Sequence, residues 1–498
     1  MSATPINPFV FNLSLPWYRK LQICFMSLTI APVRVVCLVI LFLITWVFGI
    51  LFTIGMSDDH DVPLSPIRTA LLNSLQLFGM FAFKIGGFFF TIKGKRAKSI
   101  DAPIIVAAPH SSLFDLLLWF HTAPLPAALS KIEIFKIPLF STLVKAIQPV
   151  LVVREDINSR QMAVSKIEKR VKEPGCWPQL IVFPEGTRTN AESLIMFKVG
   201  AFLYGVPVQP ITIQYHNSWN TVTQTEAGPK FLEVFWLTMC QFWTSVEIEY
   251  MPVYKPSVEE IADPKLYAHS VRKAMSQKLN IPCTEHTFQD RMLMKLAAKM
   301  GFPKQHISVE LHSLSTKYNV KIDQVKIWLG KFVSMSGKRG DGLASVNDFA
   351  KFLELPVTVA IHDLFEVYDT AGQGTITFNQ YISGHALMHA TATAEHTLDY
   401  ACQVYKNYTC CKCSEKSVSL HQSSDVYLDM NLVGQQIEKG KQILGVSGSV
   451  RHFFLFNPEY AMLCLWYQLL TTKSPLGQQG FVNGETTNSI RYRFNTQN

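Results

Sequence analysis

Two short stretches hold the residues most able to do chemistry. In "APHSSLFD", His110 and Asp115 stand five residues apart just after an apolar run. In "FPEGTRTN", Glu185, Gly186, Thr187 and Arg188 also follow an apolar run, about 75 residues later. Inside one continuous helix, residues five apart lie about 140° apart and share no face. If His110 instead occupies the turn before a helix, with Ser111 or Ser112 capping it, the Asp115 carboxylate can curl back onto the imidazole. An aspartate on one ring nitrogen fixes the tautomer and stabilises the imidazolium that forms when the other nitrogen takes a proton. No G-x-S-x-G serine elbow supplies a protein nucleophile, so His110 is expected to activate a hydroxyl of the substrate. In the second stretch Gly186 permits close backbone approach, Thr187 can donate a hydrogen bond, and Arg188 offers a two-pronged fork for phosphate. Taken singly, each is more often a capped helix or a polar loop held by a Glu/Arg pair. Both at strand ends of one α/β domain can converge on one cleft.

The elements that must position them follow from hydrophobic patterning. Ile104–Ala108, Val150–Val153, Leu180–Phe183, Val208–Gln214 and Val246–Tyr250 read as strands. Leu113–Phe120 reads as the start of a helix, Ser159–Val171 as a helix ended by Pro174 and Gly175, and Asp263–Pro264 as cap and first residue of a helix to about Leu279. This alternation predicts an α/β domain, a partly parallel sheet flanked by helices.

Upstream, Val35–Ile54 is 20 residues without a charge, long enough to cross a hydrocarbon core of about 30 Å. The run starts late and lacks a small-residue cleavage pattern, which argues against a signal peptide. A second apolar stretch, Leu71–Ile92, carries Lys84 and the pair Gly86–Gly87; it reads as a second span, a re-entrant helix or an in-plane helix. Arg19, Lys20 and Arg34 put the N-terminal arm on the cytosolic side. The 13-residue run Phe231–Trp243 is short for a span and fits core or membrane-surface packing. The sequons at Asn12 and Asn407 report on which parts face a lumen.

Composition agrees with a membrane-associated enzyme: 48% hydrophobic residues, 34 Phe and only 17% charged positions among 498. The net charge of +9 fits an anionic membrane or substrate; no dense basic run with interleaved aromatics points to nucleic acid. The ten cysteines lack the spacing of a disulfide framework, which favours a reducing compartment, and the cluster Cys410, Cys411 and Cys413 lacks a second pair for zinc.

The two chemical motifs together resemble glycerolipid acyltransferases. "QPVLVVRED", with Arg154, is similar to a further block of that family, and "GVPVQPITI", with Pro207 and Pro210, to another. "FKVGAFLYGVPVQP" and the positions Glu259, Glu260, Asp263, Pro264, Val271 and Arg272 look most like the EF-hand-bearing lysophosphatidylcholine acyltransferases, a resemblance that spans about Asn7 to Tyr408. It implies that His110 deprotonates a lysolipid hydroxyl, which attacks the thioester of acyl-CoA, and that Asp115 orients His110. Arg154, Glu185, Gly186, Thr187 and Arg188 are implied to hold the anionic part of the acceptor. A thiol leaving group with a pKa near about 8.5 departs readily, so the chemistry requires no cofactor or metal beyond acyl-CoA as co-substrate. A bilayer, in an endoplasmic reticulum, Golgi or lipid-droplet setting, is the implied partner. Arg188 departs from the phosphatidylcholine branch, where cysteine is usual, and matches the lysophosphatidic acid branch. That second acceptor therefore stays open, as does a non-catalytic membrane-anchored EF-hand adaptor.

From about Thr284 the texture changes to short helices with polar loops. "DTAGQGTITFNQ" can be laid on a calcium loop with Asp369, Gln373, Thr375 and Gln380 at ligand positions, but Ala371 stands at the third place and Gln380 where a glutamate belongs. An earlier frame, Gly337–Asp348, fits worse. The reading is an all-α EF-hand-like module that binds calcium weakly or not at all. The expected organisation is an arm and membrane anchor over 1–92, an acyltransferase domain over 93–283, the helical module over 284–408, and a divergent tail over 409–498.

Overall fold

The computed structural model describes residues 7–390, apart from 55–61, 122–123, 132–139, 153–155, 174, 218, 338–340, 354–355 and 358. Arg154, Asn407, the cysteines 410, 411 and 413 and the tail from 409 lie outside the described residues. One compact unit runs to Lys295 and takes in Ser308–Leu311; the other comprises Leu296–Ile307 and the residues from His312.

The first unit is built on seven strands: β1 (Phe88–Lys93), β2 (Ile104–Ala108), β3 (Ala127–Lys131), β4 (Val150–Val152), β5 (Leu180–Val182), β6 (Val208–Tyr215) and β7 (Thr244–Tyr250). Their order is β1-β7-β6-β2-β5-β3-β4, and every neighbouring pair is parallel except β6 with β7. The central β2 is apolar throughout, as a parallel strand covered on both faces must be. Its period of two sorts it between two cores: Ile104, Val106 and Ala108 face one, Ile105 and Ala107 the other.

The helices in chain order are α1 (Trp17–Leu28), α2 (Ile30–Thr53), α3 (Pro66–Ile85), α4 (Phe140–Ala146), α5 (Ile157–Lys172), α6 (Phe231–Met239), α7 (Val258–Ala262), α8 (Pro264–Leu279) and α9 (Phe288–Lys299). α5 and α8 cover one face of the sheet through Ala163, Ile167, Val171, Val271 and Met275. The other face receives Met26, Phe83 and Val234 from α1, α3 and α6. Asp156 caps α5 by accepting from the N–H of Asn158 and Ser159, and Asp263 caps α8 ahead of Pro264.

Two expectations change. Leu113–Phe120 is not an α-helix but two 3-10 turns, Phe114–Leu116 and Leu118–His121; the Asp115 carboxylate bonds back to the backbone before it, which competes with helical continuation. The apolar stretch Leu71–Ile92 is not one element either. α3 stops at Ile85, Gly87 turns at φ +79°, and Phe88–Lys93 becomes the edge strand β1. Of the described helices, α2 is long and apolar enough to cross a membrane, with mean hydropathy 3.0 and only 11% of its most apolar window buried.

The start of α2 and the end of α3 meet at one place. Arg34 donates to the carbonyls of Met239, Gln241 and Phe242, which end α6 and lead into β7. Its guanidinium lies over Gly87, where a Cβ would come within 2.7 Å of Nη2. Three carbonyls at a helix C-terminus suit a cationic fork.

In the second unit, α11 (Ile322–Ser336), which follows α10 (Leu311–Tyr318), α12 (Val346–Phe352), α13 (Val359–Tyr368) and α14 (Phe378–Ala390) enclose an aromatic core of Phe332, Phe349, Tyr368 and Tyr381. Two helix–loop–helix units are joined through short antiparallel strands, β8 (Leu343–Ser345) and β9 (Thr375–Thr377), with Ala344 opposite Ile376.

Arg34→Ala should lower the melting temperature of the detergent-solubilised protein, because it strands three carbonyls at about 1 kcal/mol or more each. Arg34→Lys should recover only part, since an ammonium cannot reach all three in one plane. Differential scanning fluorimetry checks both.

Candidate active site

β2 and β5 are paired in parallel, Val106 opposite Val182, so their C-terminal ends open side by side and deliver both motif loops to the same edge. His110 follows β2 by two residues. Its Nδ1 lies 2.8 Å from Asp115 Oδ2, and that oxygen also accepts from the N–H of Ser111 and Ser112, each at 2.9 Å. The other carboxylate oxygen, Oδ1, accepts from the Tyr215 hydroxyl at the end of β6. Asp115 is fully buried, and its oxygens receive donors from four groups. Burial first, then the charge of Asp115, hold the Tyr215 phenol well above its ordinary pKa, so it remains a donor.

Because Nδ1–H donates to Asp115, the lone pair of the neutral imidazole sits on Nε2. The ring is steadied by Phe183, with centroids 4.4 Å apart. Its side chain is 12% exposed, so an edge of the ring reaches solvent.

The second loop is tied to the first by backbone bonds. Glu185 Oε2 accepts from the His110 N–H at 2.7 Å, Oε1 accepts from the Ile195 N–H, and the Thr189 N–H donates to the His110 carbonyl at 2.8 Å. Glu185 is completely buried, with both carboxyl oxygens on backbone N–H groups. Burial pushes its carboxyl up to about 8 against the two backbone N–H bonds, which favour the ionised form. Gly186 takes φ +67°, with the end of the Lys198 side chain lying where a Cβ would be. Thr187 is buried.

Arg188 is half-buried and has no hydrogen-bond or ion-pair partner among the described residues. Burial and then Arg291 lower its pKa, while Asp115 and Glu226 oppose that. A guanidinium left in this state can take an anion.

A third loop closes the site: Ser112 bridges Thr223, and the Gln224 N–H donates to the Ser111 carbonyl at 2.9 Å. The N-terminal segment clamps the far side, where the Asn190 N–H donates to the Pro8 carbonyl and the Asn190 amide to the carbonyls of Asn7 and Val10. Phe9 is buried edge-on to His286, 5.9 Å between centroids. Thus His110, Asp115, Glu185, Gly186, Thr187 and Arg188 come together. Tyr215 escaped the sequence reading; a polar tyrosine closing an apolar strand was the available signal.

In the helical module, the Asp369 carboxylate accepts from the N–H of Gln373 and Gly374, and Gln380 Oε1 accepts from the N–H and hydroxyl of Thr377. Thr375 opens β9. Among the described residues no group of three or more His, Cys, Asp or Glu side chains could hold a metal ion.

Residues 72–214 match the family described as Acyltransferase. The chain is 36% identical to lysophosphatidylcholine acyltransferase 2 of Danio rerio over 93% of its own length and 88% of that protein's. The enzyme of the same name from Homo sapiens is 35% identical, over 94% and 86% of the two chains. The crystal structure of a 1-acyl-sn-glycerophosphate acyltransferase from Thermotoga maritima, 22% identical, superposes on 53% of this chain and 98% of that one with a TM-score of 0.36.

His286 yields a stability prediction. It is buried, neither ring nitrogen has a hydrogen-bond partner, and although the Glu310 carboxylate lies 3.6 Å from Nδ1, burial lowers the imidazole pKa to about 4. The unfolded chain takes up this proton near pH 6.5 and the folded chain only near 4, so stability should fall as pH drops through that window, by up to roughly 3 kcal/mol. His286→Phe should flatten this acid limb in denaturant melts at pH 4.5 and 7.

Proposed function

The chain belongs to the lysophosphatidylcholine acyltransferase family, and from that premise we propose that it transfers an acyl group from acyl-CoA to the free hydroxyl of a lysophospholipid, lysophosphatidylcholine first, in phospholipid remodelling and biosynthesis. The observation that carries the catalytic part is the His110–Asp115 pair, with Nδ1 committed to a buried carboxylate and Nε2 left as the base. Nε2 takes the proton of the lysolipid hydroxyl as its oxygen bonds to the thioester carbonyl carbon. The tetrahedral adduct collapses, the carbon–sulfur bond breaks, and the thiolate of coenzyme A leaves and recovers the proton from the imidazolium. Asp115 and Tyr215 position the ring; Glu185 positions the His110 backbone; Arg188, with Gly186 and Thr187 behind it, receives the acceptor phosphate.

Arg188 also supports a second acceptor. A guanidinium with no hydrogen-bond or ion-pair partner among the described residues suits the dianionic phosphomonoester of lysophosphatidic acid as well as the phosphodiester of lysophosphatidylcholine.

The two helix–loop–helix units of the second unit are assigned to an EF-hand pair that has kept its fold and lost its calcium chemistry: Asp369 is the one carboxylate at the ligand positions of its loop, and Gln380 serves as a helix cap. We assign residues 1–92 to the anchor, 93–283 to the acyltransferase domain, and 284–408 to the helical module. That α2 and α3 are both rooted at Gly87 and Arg34 supports a hairpin anchor, with the catalytic domain on the same membrane face as the N-terminal arm. An endoplasmic reticulum membrane suits that arrangement.

Purified membranes, a panel of lysolipids and radiolabelled acyl-CoA test the proposal. Wild-type chain should acylate lysophosphatidylcholine, His110→Ala should lose at least about a thousandfold in kcat, and calcium should leave the rate unchanged. Full activity in His110→Ala would sink the mechanism; a preference for lysophosphatidic acid would move the acceptor.

A further inference from the structure

The matched acyltransferase region ends at residue 214, yet a segment well beyond it returns to the motif loops. Residues 282–286 run alongside 194–196: the Leu194 N–H donates to the Pro282 carbonyl at 2.9 Å, the Thr284 N–H to the Leu194 carbonyl at 3.0 Å, and the Met196 N–H to the His286 carbonyl at 2.9 Å. This zipper fixes where the next residues of both segments lie. Two residues past Met196, Lys198 places its ammonium against Gly186. Two residues past His286, Phe288 starts α9, and its ring lies 4.1 Å from Lys198 Nζ.

α9 begins rigidly. Asp290 is buried and accepts from the N–H and hydroxyl of Thr287 and from the N–H of Leu311. The next residue, Arg291, also lies over the Phe288 ring, 5.9 Å from its centroid, and pairs with Glu226 at 2.7 Å. Glu226 itself follows Gln224, which is bonded to the His110 loop. The charges of Arg291 and Glu226 are both felt by Arg188. Lys198 and Arg291, from two segments, therefore both lie over the Phe288 ring, and Arg291 acts on a third cation, Arg188, which also feels the carboxylates of Asp115 and of Glu226, the partner of Arg291.

Gathering like charges costs free energy that an anionic ligand recovers. We propose that α9 completes a phosphate-ester rim for the acyltransferase site, in which Arg291 is a specificity-determining residue beside Arg188 and Glu226 holds it in place until a phosphate displaces it. This rests on the acyltransferase reading and adds a residue group from outside the matched region. The phosphate ester can belong to the lysolipid or to coenzyme A, and both carry the same recognisable chemistry.

The test measures equilibrium binding of coenzyme A and of lysophosphatidylcholine, separately, to the full chain in detergent. The double variant Glu226→Gln/Arg291→Gln leaves no unpaired carboxylate behind; it should bind one of the two ligands about tenfold more weakly, the scale of one lost charge-assisted bond. Glu226→Gln alone should tighten the same ligand severalfold, a change of opposite sign that a structural role for the pair does not produce. The ligand affected identifies the source of the phosphate. Unchanged affinity for both ligands in variants that melt like wild type overturns the proposal; Arg291→Lys, which keeps charge and ion pair, serves if the double variant does not fold, and should weaken the same ligand about threefold. Acyl transfer by the wild-type chain is scored independently, so failure of the rim and failure of the parent reading are separable.

Discussion

The buried carboxylate of Asp115 is the constraint around which the catalytic end of the molecule is arranged. Taking a carboxylate out of water costs several kcal/mol unless donors replace the lost hydration. Here the replacements come from four directions: the His110 ring, the N–H groups of Ser111 and Ser112, and the Tyr215 hydroxyl from the neighbouring strand. Each donor is fixed by the need to satisfy the charge, so the same interactions that make the burial tolerable also set the imidazole tautomer and aim Nε2 outward. They also explain why the backbone after His110 turns as 3-10 instead of forming the expected helix.

A second buried carboxyl group extends this arrangement across the sheet. Glu185 grips the His110 backbone from the end of β5 and Ile195 from the loop beyond, which turns two separate strand ends into one rigid floor. Arg188 is then presented on that floor with no hydrogen-bond or ion-pair partner among the described residues, while the zipper of 282–286 along 194–196 brings further cations near it. Arg34 ties the start of the apolar helix α2 to the carbonyls that end α6, so that helix and the sheet share one joint.

Much of this was legible in the sequence because it is written in local patterns. The apolar runs at Ile104, Leu180 and Val208 announced the three central strands, and Asp263–Pro264 announced α8 to within a residue. The His110, Asp115 and Glu185–Arg188 motifs came together as their positions after strands implied. What could not be read depends on distant partners. Glu185 was legible only by its chemical type, and only the fold reveals that its oxygens face the backbone N–H groups of His110 and Ile195. Phe88–Lys93 merged into a membrane-like stretch because an edge strand of three phenylalanines and a buried helix have the same hydropathy; Gly87 was the punctuation. Tyr215 and Arg291 act across the sheet and across a hundred residues of chain or more, where spacing carries no signal.

The most direct test of this account is the substitution Asp115→Asn, which keeps the shape but reverses half of the hydrogen-bond polarity at the centre. With wild-type expression and Michaelis constants within about threefold, kcat for acyl transfer should fall by roughly a thousandfold or more, because the amide no longer fixes the Nε2 lone pair or stabilises the imidazolium. A folded Asp115→Asn protein that retains kcat within tenfold of wild type would contradict it.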